Sequence, residues 1–278
     1  SRRVPAVVGA VTGRWPHPGG QGDQPASGHL AFAQEFLPGV EDAWRVALHA
    51  AEAGRDFAGP ARALGEATAE VHRTLAEVLG TEPTSHEQAE TIVGEMRARF
   101  EAAVAQAPGL EEVRGPVDAV LRAAAHADWP ALQRIHGDYH LGQVLHSPER
   151  GWVLLDFEGE PLRPLSERSL PDQWVRDVAG MLRSFDYVGG TREQADGSSA
   201  REWVTSAQEA FLDGYADRAG QDPRSLGALL AAFELDKAMY EVVYEARNRP
   251  GWLAIPLGAV RRLTAHFSHD PTTQGDPS

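Results

Sequence analysis

Two short segments carry the residue types that could do chemistry. The first is His136-Gly137-Asp138-Tyr139-His140-Leu141-Gly142-Gln143; the second runs Leu154-Leu155-Asp156-Phe157-Glu158-Gly159-Glu160. Moving a phosphoryl group onto a hydroxyl needs a carboxylate beside the attacking oxygen and one or two divalent cations to gather phosphate charge. Asp138 suits the carboxylate. Gln143 follows it by five residues and Asp156 ends a short apolar stretch. An amide and a carboxylate are hard oxygen donors that suit Mg²⁺. Glu158 is a further carboxylate near that metal. A second chemistry takes His136, Asp138 and His140 as alternating ligands of zinc or iron in a hydrolase. It leaves Gln143 and Asp156 without a task. The bland alternative is that both aspartates cap turns, with His136 bonding backbone inside its loop.

These groups depend on the elements around them. Residues 4–14 are β-prone, 16–28 read as a Gly/Pro-rich loop, and 30–37 form a short strand stopped by Pro38-Gly39. Leu64, Val71, Leu75 and Val78 then recur at helical spacing and give one apolar face. Residues 85–106 and 110–127 continue the helical pattern. Residues 152–155 are a short apolar strand leading into Asp156. Pro161, Pro164 and Pro171 make 157–172 an extended loop. Helices are predicted from Gln173, over 199–219, 224–247 and 256–267, before a frayed tail at 269–278. Trp152, Trp174 and Trp203 are candidate core residues.

Composition narrows the function classes. The 278 residues carry a formal charge of −14, which repels nucleic acid, so a bound phosphate needs a local cation. Without cysteine there is no disulfide, thiolate nucleophile or Cys-based zinc site. No signal-peptide core follows the start, and no stretch is long and apolar enough to span a membrane. A soluble, cytoplasmic protein is expected. Among 26 basic residues, the single lysine is Lys237.

The two chemical segments resemble the aminoglycoside-phosphotransferase and sugar-kinase branch of the protein-kinase-like superfamily. Within it, Gln34-Glu35-Phe36-Leu37, Ile135 to Gln143, Asp156 to Glu160, Arg176 to Tyr187 and Tyr244 to Trp252 are similar to the bacterial maltokinases. Closely similar actinobacterial proteins phosphorylate glucosamine. The resemblance implies an α+β, protein-kinase-like fold: mostly the helical C-terminal lobe, with only the last strands of the N-terminal lobe. Residues 1–38 would end that small lobe and form the hinge, and 39–278 would be the catalytic lobe, with a catalytic loop at 135–146 and a metal-binding turn at 156–160. It implies ATP and Mg²⁺ as cofactors and maltose as the first-choice substrate, with glucosamine as the alternative. A role in glycogen and trehalose metabolism and association with trehalose synthase belong to the same resemblance.

Carried over by position, Asp138 is the base and Gln143, Asp156 and Glu158 hold metal. Gln34, Glu35 and Leu37 meet the nucleotide through the hinge backbone. His140, Arg183, Tyr244, Glu245 and Trp252 are the sugar-site candidates, with an aromatic face for the ring and charged groups for its hydroxyls. One departure stands out. A small-lobe lysine on the nucleotide phosphates should precede the hinge, yet no lysine precedes Gln34, and Lys237 lies far downstream. The expectation is a piece of a longer chain, with apolar surface where the small lobe belongs. The other reading is a kinase-like lobe kept for binding alone.

Overall fold

The computed structural model describes residues 1–16, 25–160 and 164–265. Most of the expected loop at 16–28 and all of the expected tail at 269–278 fall outside them. Strands β1 (Val7–Trp15) and β2 (Ala26–Gln34) pair antiparallel as a hairpin. The hairpin leaves Val7, Val11, Leu30 and Phe32 exposed, and just past it Phe36 is 86% exposed. The chain then enters β3 (Glu41–Asp42) and α1 (Ala43–Glu52). Asp42 caps this helix by accepting from the backbone N–H groups of Trp44, at 2.8 Å, and Arg45. The sequence reading had no helix here.

The body is helical. Helix α2 (Ala58–Leu79) runs against α7 (Arg201–Ala219) along its length. The two backbones approach so closely at Gly214 that a side chain there would strike the Arg62 carbonyl. Leu64 and Val71 of the predicted apolar face are buried, but Val78 is 73% exposed. The face ends a turn early because β4 (Thr81–Glu82) leaves the helix axis to pair with β5 (Leu132–Gln133). Between these strands lie α3 (His86–Gln106), opened by a Ser85/Gln88 capping box, and α4 (Arg114–Ala125).

Strand β6 (Val144–Ser147) pairs with β3 on one side and β7 (Gly151–Leu154) on the other. This small sheet sits between the two chemical segments and fixes their separation. The short helix α5 (Leu165–Arg168) interrupts the predicted loop. Helix α6 (Trp174–Asp196), α8 (Ala228–Asn248) and α9 (Ala254–Ala265) complete the body. Trp152 and Trp174 are buried in the core, and Trp203 packs on Phe57 with ring centroids 5.5 Å apart. No helix among the described residues is long and apolar enough to cross a membrane.

Candidate active site

The loop holding Asp138 is pinned from below by a buried carboxylate. Asp177, in the first turn of α6, accepts from His136 N–H at 2.8 Å and Gly137 N–H at 2.9 Å. His72 of α2 donates Nε2–H to the same carboxylate at 3.0 Å, while its Nδ1 meets the Tyr215 hydroxyl at 3.0 Å. Burial alone would raise the Asp177 carboxyl, but the His72 hydrogen bond and charge, with the Gly137 N–H, hold it below the ordinary 3.8. Tyr139 reaches the other way and bonds Thr68 at 2.7 Å. A side chain at Gly180 would lie 2.5 Å from the Tyr139 carbonyl oxygen, so glycine lets α6 lie directly under the loop.

His136 is used entirely within this scaffold. Its Nε2–H donates to Leu155 O at 2.6 Å, and Nδ1 accepts from Asp138 N–H at 3.3 Å. Burial pulls its pKa down, and it is neutral. With both nitrogens occupied it is no metal ligand, which removes the basis of the hydrolase reading. No group of three His, Asp or Glu among the described residues could hold a metal. His140 accepts from Gly142 N–H at 3.0 Å through Nδ1. Burial lowers its pKa more than Asp138 raises it.

The second segment is tied to the first. Leu155 N–H donates to Gln143 O at 2.9 Å, and Arg134 Nη2 donates to Phe157 O at 2.6 Å. Asp156 therefore turns back toward Gln143, whose amide lies 3.4 Å from Asp156 Oδ2. Asp156 has φ 57°, the one positive value at a non-glycine residue among those described. Such backbone costs on the order of 1–3 kcal/mol and persists where surrounding contacts enforce it. Asp156 and Glu158 are both exposed. An amide and a carboxylate within contact of each other form a donor set that fits a hard divalent cation.

A cavity of about 550 Å³ opens beside Asp138, lined by His140, Trp44, Tyr187 and the inner face of α8. Lys237, Glu241 and Glu245 recur every four residues on that helix and so share this face. Trp252 closes one end, with Arg249 4.8 Å above its ring and Tyr187 stacked at 6.3 Å. Tyr244 lines the rim and is half exposed. Glu245 is 1% exposed and is held by Arg249, at 2.5 and 2.9 Å, and by the Tyr187 hydroxyl at 3.0 Å. Arg183 does not line this cavity. Its guanidinium is fully buried, bonded to Asp186 and to Glu241 Oε2 at 2.6 and 3.0 Å. It lies behind Glu241, away from the cavity lining where the sequence reading expected it.

Away from this cavity, the segment expected to form a hinge is anchored through Glu35. Its backbone N–H donates to Ala6 O at 2.8 Å, and its carboxylate pairs with Arg150. The Arg150 hydrogen bond lowers the Glu35 pKa. Gln34 closes β2 and is exposed; Leu37 follows in a half-buried position.

Residues 3–229 match the APH family, described as the phosphotransferase enzyme family. The chain belongs to that family. The APH match extends to individual proteins. The chain is 31% identical to a glucosamine kinase of Streptacidiphilus jiangxiensis over 280 residues, covering 92% of this chain and 63% of the relative. It is 29% identical to a glucosamine kinase of Mycolicibacterium smegmatis (strain ATCC 700084 / mc(2)155), over 84% of this chain and 62% of that protein. A solved glucosamine kinase in complex with glucosamine, ADP and inorganic phosphate superposes with a TM-score of 0.83 at 26% identity, over 98% of this chain and 70% of that one. The chain thus spans just over three fifths of the length of the curated relatives it matches. Its kinase-like fold is that of the APH phosphotransferases.

Around the candidate site the structure places four residues that sequence reasoning did not include in it. Asp177 lay inside a segment quoted only for resemblance, and nothing in its spacing shows which backbone it holds. His72 reads as one more polar residue on α2. Glu241 is one turn from Glu245, and that four-residue spacing was the available signal. Lys237 looks remote in sequence, yet its Nζ is 3.4 Å from Asp138 Oδ1.

Proposed function

We propose that this chain is the catalytic portion of an ATP-dependent amino-sugar kinase that phosphorylates glucosamine. Residues 1–38 serve as the end of a small lobe and its hinge, and 39–278 as the large lobe. The observation that carries the substrate choice is the Glu241 carboxylate. It is 8% exposed and lines the cavity next to Asp138. Both Arg183 bonds to Glu241 fall on Oε2, and Oε1 is the oxygen assigned to the ligand. Burial raises the Glu241 carboxyl against the pull of Arg183. A buried carboxylate of this kind gains most from a cationic partner, which an amino sugar supplies and maltose does not. The glucosamine kinases among the relatives move the reading the same way, from maltose to glucosamine.

Asp138 takes the hydrogen bond of the attacking hydroxyl and then its proton. Trp252 and Tyr187 supply faces for the ring, and Glu245, fixed by Arg249, accepts from a ring hydroxyl. Gln143 and Asp156 would hold Mg²⁺, with Glu158 beside them; the ion would neutralise charge on the nucleotide phosphates. Gln34, Glu35 and Leu37 border the adenine through backbone groups.

An ADP-release assay on the full-length protein with glucosamine, glucose, maltose and an aminoglycoside tests the reading. Glucosamine is expected to give the highest kcat/KM. Glu241→Gln is expected to raise its KM roughly 10–100-fold, the worth of one charge-assisted hydrogen bond, and to leave glucose little changed. Maltose or an aminoglycoside ahead of glucosamine overturns the assignment.

A further inference from the structure

The chain has 26 basic residues, and 25 of them are arginine once the single lysine is set aside. That one lysine lies at the carboxylate expected to do the chemistry. Lys237 Nζ is 3.4 Å from Asp138 Oδ1 and 5.0 Å from the centre of the Tyr240 ring. It borders the large cavity and also a pocket of about 30 Å³ on the other side of Asp138, shared with Arg99 and Arg176. Those two arginines are already engaged. Arg99 holds Asp236 at 2.6 Å, and Arg176 holds Asp172 at 2.9 Å and Asp236 at 3.3 Å. Lys237 has the longest and loosest of these pairings, well beyond the 2.7–2.9 Å usual for a charge-assisted bond.

We propose that Lys237 is a catalytic residue of phosphoryl transfer, its ammonium resting on Asp138 in the free protein and meeting the transferring phosphoryl group in the reaction. The proposal rests on the kinase reading above and goes beyond it. In the transfer, the sugar hydroxyl oxygen forms a bond to the γ-phosphorus. The bond from that phosphorus to the oxygen bridging toward the β-phosphate breaks, and its electrons leave with ADP. The hydroxyl proton passes to Asp138 and from there to solvent. Lys237 touches only Oδ1, so Asp138 can accept that hydrogen bond while the ammonium swings to the equatorial phosphoryl oxygens.

Three features of the site favour this role. The chain carries a charge of −14, so the phosphoryl group needs a cation placed locally. Helix α8 orders its charges along the cavity, with Lys237 at the Asp138 end and Glu241 and Glu245 one and two turns further on. A phosphoryl group at one end and an amine at the other match that polarity. A lysine can also swing between two acceptors, whereas a guanidinium would grip the Asp138 carboxylate with two parallel bonds.

The test uses Lys237→Met, Lys237→Ala and Lys237→Arg in the full-length protein, with steady-state kinetics and thermal melts. Lys237→Met is expected to lower kcat by roughly 10²–10³-fold. KM for ATP and for the sugar should stay within about threefold, with the melting temperature little changed. Lys237→Ala is expected to regain activity with added methylammonium or ethylammonium, a response that a merely structural lysine would not give. Lys237→Arg keeps the charge and the fold, and is expected to stay at least tenfold below wild type. A Lys237→Met kcat within threefold of wild type overturns the proposal, as does a loss confined to KM. A stable Lys237→Ala that no alkylammonium rescues also overturns it. If wild type phosphorylates a hydroxyl other than glucosamine's, the substrate reading fails, and Lys237 is judged on that substrate by the same criteria. A wild type that transfers phosphoryl to nothing overturns both.

Discussion

Replacing Asp177 by asparagine separates the carboxylate's role in holding the loop from its bulk. The wild-type carboxylate takes three donors: Gly137 N–H on Oδ1, and His136 N–H and His72 Nε2–H on Oδ2. Asparagine keeps one acceptor oxygen. Its best placement puts that oxygen where Oδ2 was and turns its amide against Gly137 N–H, donor to donor. One charge-assisted bond is lost, worth about 1.5–3 kcal/mol, and a buried N–H is left unmet, costing about 1–3 kcal/mol more. The expected destabilisation is about 3–5 kcal/mol. With a urea slope of about 3 kcal/mol/M, the unfolding midpoint drops by about 1–1.7 M. The loop carrying Asp138 shifts with Gly137, and turnover should fall at least ~100-fold, as for other misplacements near 1 Å. The pH dependence has a definite sign. Because the folded-state pKa lies below the ordinary 3.8, the carboxylate stabilises fully above 3.8, and the contribution is lost as pH falls below that value through the folded-state pKa. The gap between wild type and variant should therefore narrow in acid. An Asp177→Asn protein with an unchanged urea midpoint and unchanged turnover would refute the reasoning.

Other perturbations have equally definite outcomes. Asp138→Asn in the full-length protein should lower phosphoryl transfer by ~10²–10⁴-fold while nucleotide still binds, as seen by calorimetry; near-normal turnover contradicts the role of Asp138. Asp156→Ala should remove the Mg²⁺ dependence of ATP binding, and an unchanged titration with and without Mg²⁺ counts against the metal turn. Glu234 on α8 is pushed up to about 8, first by burial and then by Asp186. A raised carboxyl stabilises fully below its ordinary value near 4.5, and that contribution is lost as pH climbs toward 8. Glu234→Gln should therefore melt like wild type at pH 5 and above it at pH 9; parallel melting curves across that range exclude this.

The order of the chemical groups was legible in the linear chain. Asp138, Gln143 and Asp156 stand where local rules can be read, because a loop of six residues and a strand of four leave few ways to arrange them. Helices such as α2 and α4 were legible for a similar reason, since apolar spacing at 3.6 residues per turn is a local property. Helix α1 was missed although its two faces differ; its buried residues are all alanine, and no large apolar side chain marks that face. Val78 was misassigned because the helix outlasts the surface it packs on.

The amino-acid sequence by itself determined the chemistry that could be done: the pair of acids, the amide, the absence of cysteine and the excess of negative charge. Only the tertiary structure decided which distant residues share that chemistry. It brought Asp177 under the loop, turned Arg183 inward onto Glu241, placed Glu241 in the lining of the cavity, and set Lys237 against Asp138 from 99 residues away. The physical reason is that charges act through space with a range of a few ångströms, while sequence spacing reports proximity only within a turn or two of helix or strand.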